Sequence, residues 1–406
     1  MPGIDRPTLR CHAHLQEVEC LWRRLEAAGG APTVYQSWPW VAGWHRSLGN
    51  GCGSRLALVT VSDGERPLAL LPLSIRREKG LRILSWLGDR HFNYPGPLFD
   101  PSFLGSLDET RFRALWRRID AVLPRHDVVW FNSQLPSVGG AVSPWQWLDR
   151  RPAPNSAHRL AFAHHDWPRL LAELRGKKTR KRMRNEESRL SREGEVAFEV
   201  VDDADRLAEA LDALFVQRNA RFRALGIPVE SRLDDYRRFY LGLLRASVAG
   251  ETAPDRYYLL RLTLDGEMLA ALLVAEKEGI AYPLINSMTL SRYSRWSPGD
   301  YLLRHLIRDA CDRKLQAIDF GLAEDSNYKT AWCNQRMETY ETIRGRTLQG
   351  QLAAALITVR TAAARKIKHS PRAFACYRFF RSLRSEGLRN HDWKYDFQRL
   401  FRATGG

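Results

Sequence analysis

Apolar residues in the first half of the chain recur in runs that predict a small α/β layer. Alternating or continuous apolar stretches bounded by turn residues predict strands, and apolar residues at helical spacing predict helices. A turn at Asp63-Gly64 joins two of the strands into a hairpin. The predicted order is a helix, a hairpin, a strand, a helix and a buried strand, at residues 22–28, 56–75, 81–87, 112–123 and 128–131.

The second half repeats this order with a stronger pattern. Three sequential antiparallel strands precede a helix that begins near Gly299, and a buried strand follows that helix. We expect residues 339–344 to close the sheet. The shared order predicts an internal structural duplication. The other predicted elements of this half are residues 196–201, 204–224, 235–248, 257–264, 268–276, 280–288 and 317–320.

A weakly periodic stretch that contains Pro and Arg, residues 148–163, predicts a domain junction. We therefore expect an N-terminal domain at residues 1–155 and a second domain at residues 156–347. Residues 348–406 are expected to form a basic tail of two amphipathic helices.

One predicted helix, residues 177–193, is polar on nearly its whole surface. Only Met183 and Leu190 interrupt that surface, and Gly194 ends the helix. A helix without a broad apolar face has little to bury. We therefore expect it to stand out from the body or to bridge the two domains.

Composition is that of a globular protein with packed cores. The chain has 406 residues, 44% of them apolar, with 13 Trp, 16 Phe and 13 Tyr, which favours two domains and an appendage. The first residues lack the layout of a secretory signal, and no apolar run approaches the roughly 18 residues of a membrane helix. We expect a cytoplasmic protein, with peripheral contact at the inner membrane face as a further possibility.

The six cysteines are scattered without a Cys-x-x-Cys pair, which indicates reduced, structural thiols rather than a disulfide framework. Cys11, His12, His14 and Cys20 are of metal-binding types, but their spacing matches no standard zinc module. We interpret them as a surface segment that leads into a helix, and we predict no metal site.

Positive charge is concentrated in two places. The chain carries a net charge of +17, and residues 346–406 hold 13 Lys and Arg against three Asp and Glu, a net +10. Residues 175–184 form a second basic cluster. Both could contact a phospholipid surface, a polyanionic polymer, RNA or a nucleotide cofactor. The alternative is that a basic composition reflects genomic bias and solubility.

The most informative motif joins a helix start to the end of a buried strand. Ser297-Pro298-Gly299 precedes a predicted helix, and Ile318-Asp319-Phe320-Gly321 ends the strand that follows. Unpaired amides at a helix N-terminus and a flexible glycine suit a phosphate-bearing ligand. Asp300 in the first turn would repel a phosphate unless it points away, and the alternative is a plain helix start.

This ordered set resembles the acyl-CoA N-acyltransferase (GNAT) superfamily over roughly residues 165–335. More narrowly, it resembles the acetyltransferase-like domain associated with bacterial cellulose and exopolysaccharide synthesis, which is related to the FemABX peptidyltransferases. The resemblance implies two tandem GNAT-like domains, with mixed, mainly antiparallel sheets flanked by helices. The chain departs from ordinary GNAT enzymes because it lacks a Gln/Arg-x-x-Gly-x-Gly/Ala loop.

The resemblance also implies a co-substrate, acyl-CoA or acetyl-CoA, and its position. The pantetheine arm would pair with the strand that carries Asn286, Ser287 and Met288. The pyrophosphate would lie at the helix start, at Pro298 and Gly299. Asn286 and Ser287 are polar where apolar residues would be cheaper to bury, which favours a cleft wall over a satisfied pair in the core.

Attack of an amine on a thioester needs a base, an acid for the leaving thiolate and donors for the oxyanion. The candidate bases are Asp319 and Glu324, and the candidate acids are Tyr293 and Tyr328. Lys329 is a candidate to hold a phosphate or a carboxylate. Each of these residues also has a purely structural interpretation, such as Asp319 supporting the end of its strand.

A stiff Pro-rich loop in the first half carries His91, Asn93 and Tyr94, which could face the acceptor. His91 is more simply explained as a surface or core residue. The chain shows no nucleophile elbow, Walker loop or paired metal ligands.

Three functions remain open at this point. The first is an acyl-CoA-dependent N-acyltransferase that acts on a small-molecule or saccharide amine in polysaccharide or cell-envelope metabolism. The second is a FemABX-like transferase that uses aminoacyl-tRNA, with residues 177–184 holding the RNA. The third is a non-catalytic accessory protein of exopolysaccharide synthesis, whose basic tail contacts anionic lipid or a polymer synthase. The fold alone does not choose among them.

Overall fold

A computed structural model describes residues 7–370 and residue 373, apart from residues 52, 90, 226, 228, 230, 231 and 324–329. The strands are β1 Thr8–His12, β2 Ser54–Asp63, β3 Arg66–Glu78, β4 Leu81–Trp86, β5 Leu98–Phe99, β6 Val128–Gln134, β7 Ser137–Val138, β8 Ala141–Val142, β9 Arg150–Ala161, β10 Val196–Val201, β11 Arg256–Leu264, β12 Glu267–Lys277, β13 Ile280–Met288, β14 Ala317–Ala323 and β15 Gln335–Gly345. The helices are α1 Glu19–Ala27, α2 Trp38–Ser47, α3 Pro101–Gly105, α4 Glu109–Val122, α5 Trp167–Leu174, α6 Lys177–Leu190, α7 Ala204–Ala224, α8 Leu233–Val248, α9 Pro298–Asp312 and α10 Leu348–His369.

One long mixed sheet runs through both halves of the chain. Its strand order is β1-β2-β3-β4-β6-β15-β9-β14-β13-β12-β11-β10, with β5 paired to β3. Read outward from the centre, the two arms match element by element, so that β1 to β4, α4 and β6 correspond to β10 to β13, α9 and β14. The fold is therefore the mixed α/β architecture that was predicted, built from two copies of one unit.

The two halves exchange their last strands. Strand β9 follows β6 along the chain but pairs with β14 of the second half and with β15. Strand β15 pairs in turn with β6 of the first half. The prediction that residues 339–344 close the sheet of their own half is wrong, because β15 lies between β6 and β9.

The stretch interpreted as a junction, residues 148–163, contains strand β9 at the centre of the sheet. Its burial alternates only in part, and Pro152 and Pro154 weaken the strand pattern, so periodicity did not identify it. The division at residue 155 stays a prediction, and β9 spans that position.

The core has one layer shared by both halves and two separate layers. On one face, α1 and α2 pack with α7 and α8, and Trp40 meets Phe239 edge-to-face at 5.0 Å between ring centres. On the other face, α4 covers the first half of the sheet and α9 covers the second. Shared burial of aromatic rings on the first face holds the halves together.

Helix α6 lies on the core of the second half. Met183 and Leu190 are buried among the residues under α9. The expectation that this helix stands out or bridges the domains is therefore wrong, because two well-placed apolar residues are enough to bury one edge of it. No helix in the described part of the chain is both long enough and apolar enough to span a membrane.

Candidate functional site

Strands β13 and β14 form a fork. They pair in parallel only at Ile280 with Ala317 and Ala281 with Ile318. Beyond this point β13 stays with β12 as far as Met288, whereas β14 follows β9 with a register shift after Asp319. Pro283 lies two residues beyond Ala281, the last residue of β13 that pairs with β14, and proline has no N–H to donate. The two strands therefore separate and open a gap in the sheet.

A small cavity lies at this fork, beneath the first turns of α9. It brings together Asn286, Ser287 and Gly299, three residues predicted to bind a cofactor. Predicted residues Met288 and Pro298 lie beside it on the same two elements, at the end of β13 and the start of α9. The residues that line the cavity are Ala271, Leu272, Pro283, Asn286, Ser287, Gly299, Leu302, Leu303 and Phe320.

The start of α9 forms one wall of the cavity. The N-cap Ser297 has φ of 53°, an uncommon conformation for a residue with a side chain, and its hydroxyl makes no capping bond. Gly299 lies close to Met288, since a Cβ placed on it would be 3.5 Å from the Met288 side chain. Pro298 has no N–H, and the Asp300 and Tyr301 amides each donate to the Ser297 carbonyl at 3.0 Å. The backbone that the first turn offers to the cavity is therefore that of Gly299.

Asp300 does not point freely into this site. Its carboxylate accepts a hydrogen bond from the Trp332 indole at 3.1 Å and pairs with the Arg304 Nε at 3.3 Å. Arg304 is 5% exposed and also pairs with Glu187 of α6. The negative charge at this helix start is therefore balanced by a buried guanidinium.

The polar residues of the β13 wall differ in their contacts. The Ser287 hydroxyl donates to Gln217 of α7 at 2.9 Å, and Gln217 donates to the Met268 carbonyl at 2.7 Å. Ser287 is thus a satisfied polar group that contributes its backbone to the wall. At Asn286 the backbone carbonyl accepts a hydrogen bond from the Arg218 guanidinium at 3.3 Å.

Asp319 lies on the opposite face of the sheet from the cavity. Side chains alternate along a strand, so Phe320 lines the cavity while Asp319 faces the core shared by the two halves. Its side chain is fully buried and accepts from the Tyr94 hydroxyl at 2.9 Å, from Arg159 at 3.0 Å and from the Gly321 amide at 2.8 Å.

Protonated tyrosines surround Asp319. Burial raises the pKa of Tyr94 well above its ordinary value, and the Asp319 carboxylate raises it further. The same two causes act on the pKa of Tyr282 and of Tyr35. These hydroxyls are therefore protonated at neutral pH, and that of Tyr94 donates to Asp319.

The loop that carries Asn93 fits closely against the end of β14. Asn93 donates to the Tyr35 hydroxyl at 2.6 Å, and its carbonyl oxygen accepts from the Leu322 amide at 3.4 Å. Gly321 has φ of +75°, and a Cβ there would overlap the Asn93 amide. The first half therefore reaches into the fork of the second half through Asn93 and Tyr94.

The other predicted residues lie elsewhere. The Tyr293 hydroxyl accepts from Arg292 at 2.9 Å and its ring packs near Trp296, so it is not part of the cavity wall. His91 shares a hydrogen bond with Tyr236 at 2.7 Å, away from Asp319. Glu324, Tyr328 and Lys329 fall outside the described residues.

Two neighbours of Asp319 were missed from the sequence. Arg159 lies in β9, inside the stretch interpreted as a junction, and Tyr282 reads as an ordinary strand tyrosine. The available signal was the position of Asp319 in a strand predicted to be buried. Because an unpaired buried carboxylate is costly, a residue at this position needs a buried partner.

Basic side chains line the surface beside the start of α9. Helix α6 exposes Lys177, Lys178, Lys181 and Arg184. Arg175 stacks on Trp332 at 3.8 Å, and burial lowers its pKa. Within the described residues, no group of three or more His, Cys, Asp or Glu side chains is placed to hold a metal ion.

Comparisons with known proteins agree with this geometry. Residues 177–330 match the model of the acetyltransferase (GNAT) domain, and this segment contains the fork, the cavity and α9. The structure of FemX is similar, with a TM-score of 0.55 and 12% identity, over 86% of this chain and 99% of FemX. The second half therefore has a GNAT-type acyltransferase fold.

Two further structures are similar at lower scores. L-PGS from Bacillus licheniformis has a TM-score of 0.49 and 12% identity over 84% of this chain and 96% of its own. A tandem GNAT protein from the clavulanic acid biosynthesis pathway has a TM-score of 0.45 and 14% identity over 84% of this chain and 100% of its own. Among curated protein sequences the chain has no match.

Proposed function

We propose that the protein is an acyl-CoA-dependent N-acyltransferase that uses acetyl-CoA or a longer acyl-CoA. The observation that carries this proposal is the fork between β13 and β14, which opens a cavity beneath the uncapped start of α9. A thioester arm that enters from α9 has unpaired strand edges to bond with, and its phosphates meet the Gly299 backbone and the positive end of the helix dipole.

The acceptor amine would meet the thioester in the gap between β13 and β14, beside the buried pair Asp319 and Tyr94. Both Asp319 oxygens already accept hydrogen bonds, one from Tyr94 and one from Arg159, so direct proton abstraction by this carboxylate is hindered. We propose a relay instead. The attacking nitrogen gives its proton to the Tyr94 oxygen as the Tyr94 proton moves to Asp319, while the amine nitrogen forms the new bond to the thioester carbon.

The leaving thiolate then needs an acid. Tyr328 and Tyr293 stay the predicted acids, Glu324 stays a second predicted base, and Lys329 stays a predicted phosphate contact. Three of these follow β14 directly in the sequence, so they are close along the chain to the fork. We also propose that the acceptor is a saccharide or envelope-precursor amine, which the sequence resemblance supports. A cytoplasmic location is a further proposal, supported by the proposed acyl-CoA donor.

Calorimetric titration with acetyl-CoA, longer acyl-CoAs and free CoA tests the donor. We expect saturable binding that falls at least about tenfold in Gly299→Glu, because the new carboxylate faces the phosphates. The matched control is Thr110→Glu, an exposed residue at the same second position of α4 in the first half. Absence of heat with every one of these donors contradicts the proposal.

The exposed cations of α6 favour a second candidate, transfer from aminoacyl-tRNA. Lys177, Lys178 and Lys181 would then contact RNA phosphates beside the same fork. Binding of tRNA should weaken steeply with salt, because each phosphate contact releases counterions. A Lys178→Glu/Lys181→Glu variant should reduce that salt dependence. If tRNA produces no mobility shift, or the shift is insensitive to salt, this candidate is rejected.

A further inference from the structure

Helix α10 carries an apolar stripe that faces solvent. Its four largest members, Leu348, Leu352, Leu356 and Val359, are 81, 71, 72 and 68% exposed. Their spacing of four, four and three residues places them on one side of the helix. Ala355, Ala362 and Ala363 are also exposed and fall on the same side.

This stripe is not the face that packs on the protein. Helix α10 packs on the central strands β15 and β9 through a different side, which includes Gly350 and the 8% exposed Ala354. A surface helix whose apolar face packs on the protein core normally has a polar outer face. An outer face made of three leucines and a valine therefore indicates an external contact.

The charges around the stripe are of one sign. Helix α10 has no Asp or Glu, and it contains Arg360, Arg365, Lys366 and Lys368. Arg365 pairs with Glu338 of β15, whereas Arg360 and Lys366 are exposed and pair with no carboxylate among the described residues. Lys366 falls in line with the stripe at its C-terminal end, and Arg360 lies on its flank.

This charge decides between possible occupants. A second copy would bring an identical basic helix against this one, and residues 371–406 of the same chain carry eight Lys and Arg against three Asp and Glu. Both would place like charges together. An anionic bilayer offers a hydrocarbon boundary for the leucines and phosphate groups for the cations.

We propose that α10 docks the protein on an anionic phospholipid bilayer, with Leu348, Leu352, Leu356 and Val359 in the acyl boundary. The helix would lie in the plane of the surface, since it does not cross the membrane. The inference is independent of the acyltransfer chemistry, because α10 contributes nothing to the fork or its cavity.

The test is flotation of the full chain with vesicles of phosphatidylcholine alone and with vesicles that contain about a quarter phosphatidylglycerol. We expect binding to the anionic vesicles only. Leu352→Glu/Leu356→Glu should weaken it at least about tenfold, because two anchoring side chains are lost and two negative charges are gained. Both positions are exposed, so thermal unfolding should be unchanged.

Val216→Glu is the matched control, since Val216 is 69% exposed on α7 and lies outside the stripe. It should bind anionic vesicles as the wild type does. Equal binding by the double variant overturns the proposal, as does a wild type that fails to float. A wild-type dimer in light scattering that becomes a monomer in the double variant shows instead that a second copy covers the stripe.

Discussion

The two forks of the sheet have the same topology but different helix starts. In the first half, β4 and β6 pair in parallel only at Ile83 with Val128 and Leu84 with Val129, and then separate as β13 and β14 do. The N-cap of helix α4 is Asp108, whose carboxylate accepts a hydrogen bond from the Arg111 amide at 2.8 Å. Helix α9 begins at Ser297, which makes no such bond.

A capped helix start has already used an amide and has placed a negative charge where an anion would bind. The first fork also has a small cavity, but Trp86, Trp145 and the loop Pro95-Gly96-Pro97 line it. This difference supports our proposal that a phosphate-bearing donor binds at the second fork rather than the first. A duplicated fold keeps its architecture in both halves, whereas the ligand site depends on a few residues at the helix start.

The largest expected effect concerns the residue one step beyond each parallel pair. This residue is Asp319 in the second half and Trp130 in the first. Asp319→Asn should lower turnover by about 10² to 10⁴ if the proton relay is correct. It should also lower the free energy of unfolding by about 3 kcal/mol, because Arg159 loses its buried charge partner.

Tyr94→Phe separates the relay from the structural role. Asp319 keeps Arg159 and the Gly321 amide in this variant, so the free energy of unfolding should fall by only about 1–2 kcal/mol, while turnover falls as in Asp319→Asn. Trp130→Phe is the matched control and should retain turnover. Steady-state kinetics and denaturant unfolding measure both quantities, and wild-type turnover in Tyr94→Phe would contradict the relay.

The next largest effect concerns the buried or partly buried cation beside each fork, and it is an effect on stability. Arg76, the strand partner of Ile83, pairs with Glu78 and Asp89 of its own half. Lys277, the partner of Ile280, is buried and binds Asp255 at 3.2 Å and Glu26 of the first half at 3.1 Å. Only the second fork thus uses its cation to join the two halves.

Burial raises the pKa of Asp255 to about 6, although Lys277 opposes the shift. An aspartate raised in this way binds its proton more tightly in the folded state, so its contribution to stability is present below about pH 4 and is lost as the pH rises to about 6. At about 1.4 kcal/mol per pKa unit the loss amounts to about 3 kcal/mol. Denaturant unfolding of wild type and Asp255→Asn should differ in slope over this range, and parallel profiles would reject the assignment.

Most strands and helices were predictable because their burial is regular. Residues 204–224 and 280–288 coincide with α7 and β13, where apolar periodicity and Asp or Gly boundaries agree. The exchange of β9 and β15 was not predictable, since pattern gives the face that a strand buries but not its neighbours. A strand in the middle of a sheet with two prolines and four arginines or histidines reads as a linker.

Part of the site was also predictable. The motif at Ser297 to Gly299, together with Asn286 and Ser287, indicated one cleft, and the structure places Gly299, Asn286 and Ser287 around one cavity. Local sequence could not show that Asp319 faces away from this cavity toward Tyr94, because that contact joins residues 225 positions apart. A role can be assigned to a polar strand residue only when the partner of its side chain is known.

The smallest expected effect tests the helix starts directly. Asp108→Ala removes a capping bond from α4 and should lower the free energy of unfolding by about 1 kcal/mol. Ser297→Ala removes a side chain that makes no capping bond at α9, so its effect on unfolding should be close to zero. Ser297→Asp adds a carboxylate at the start of α9 and should weaken acyl-CoA binding severalfold, because the first fork has a negative charge at this position and the second does not. Denaturant unfolding and calorimetry measure the two effects. If Ser297→Asp binds the donor as wild type does, the uncapped start of α9 is not what selects this fork.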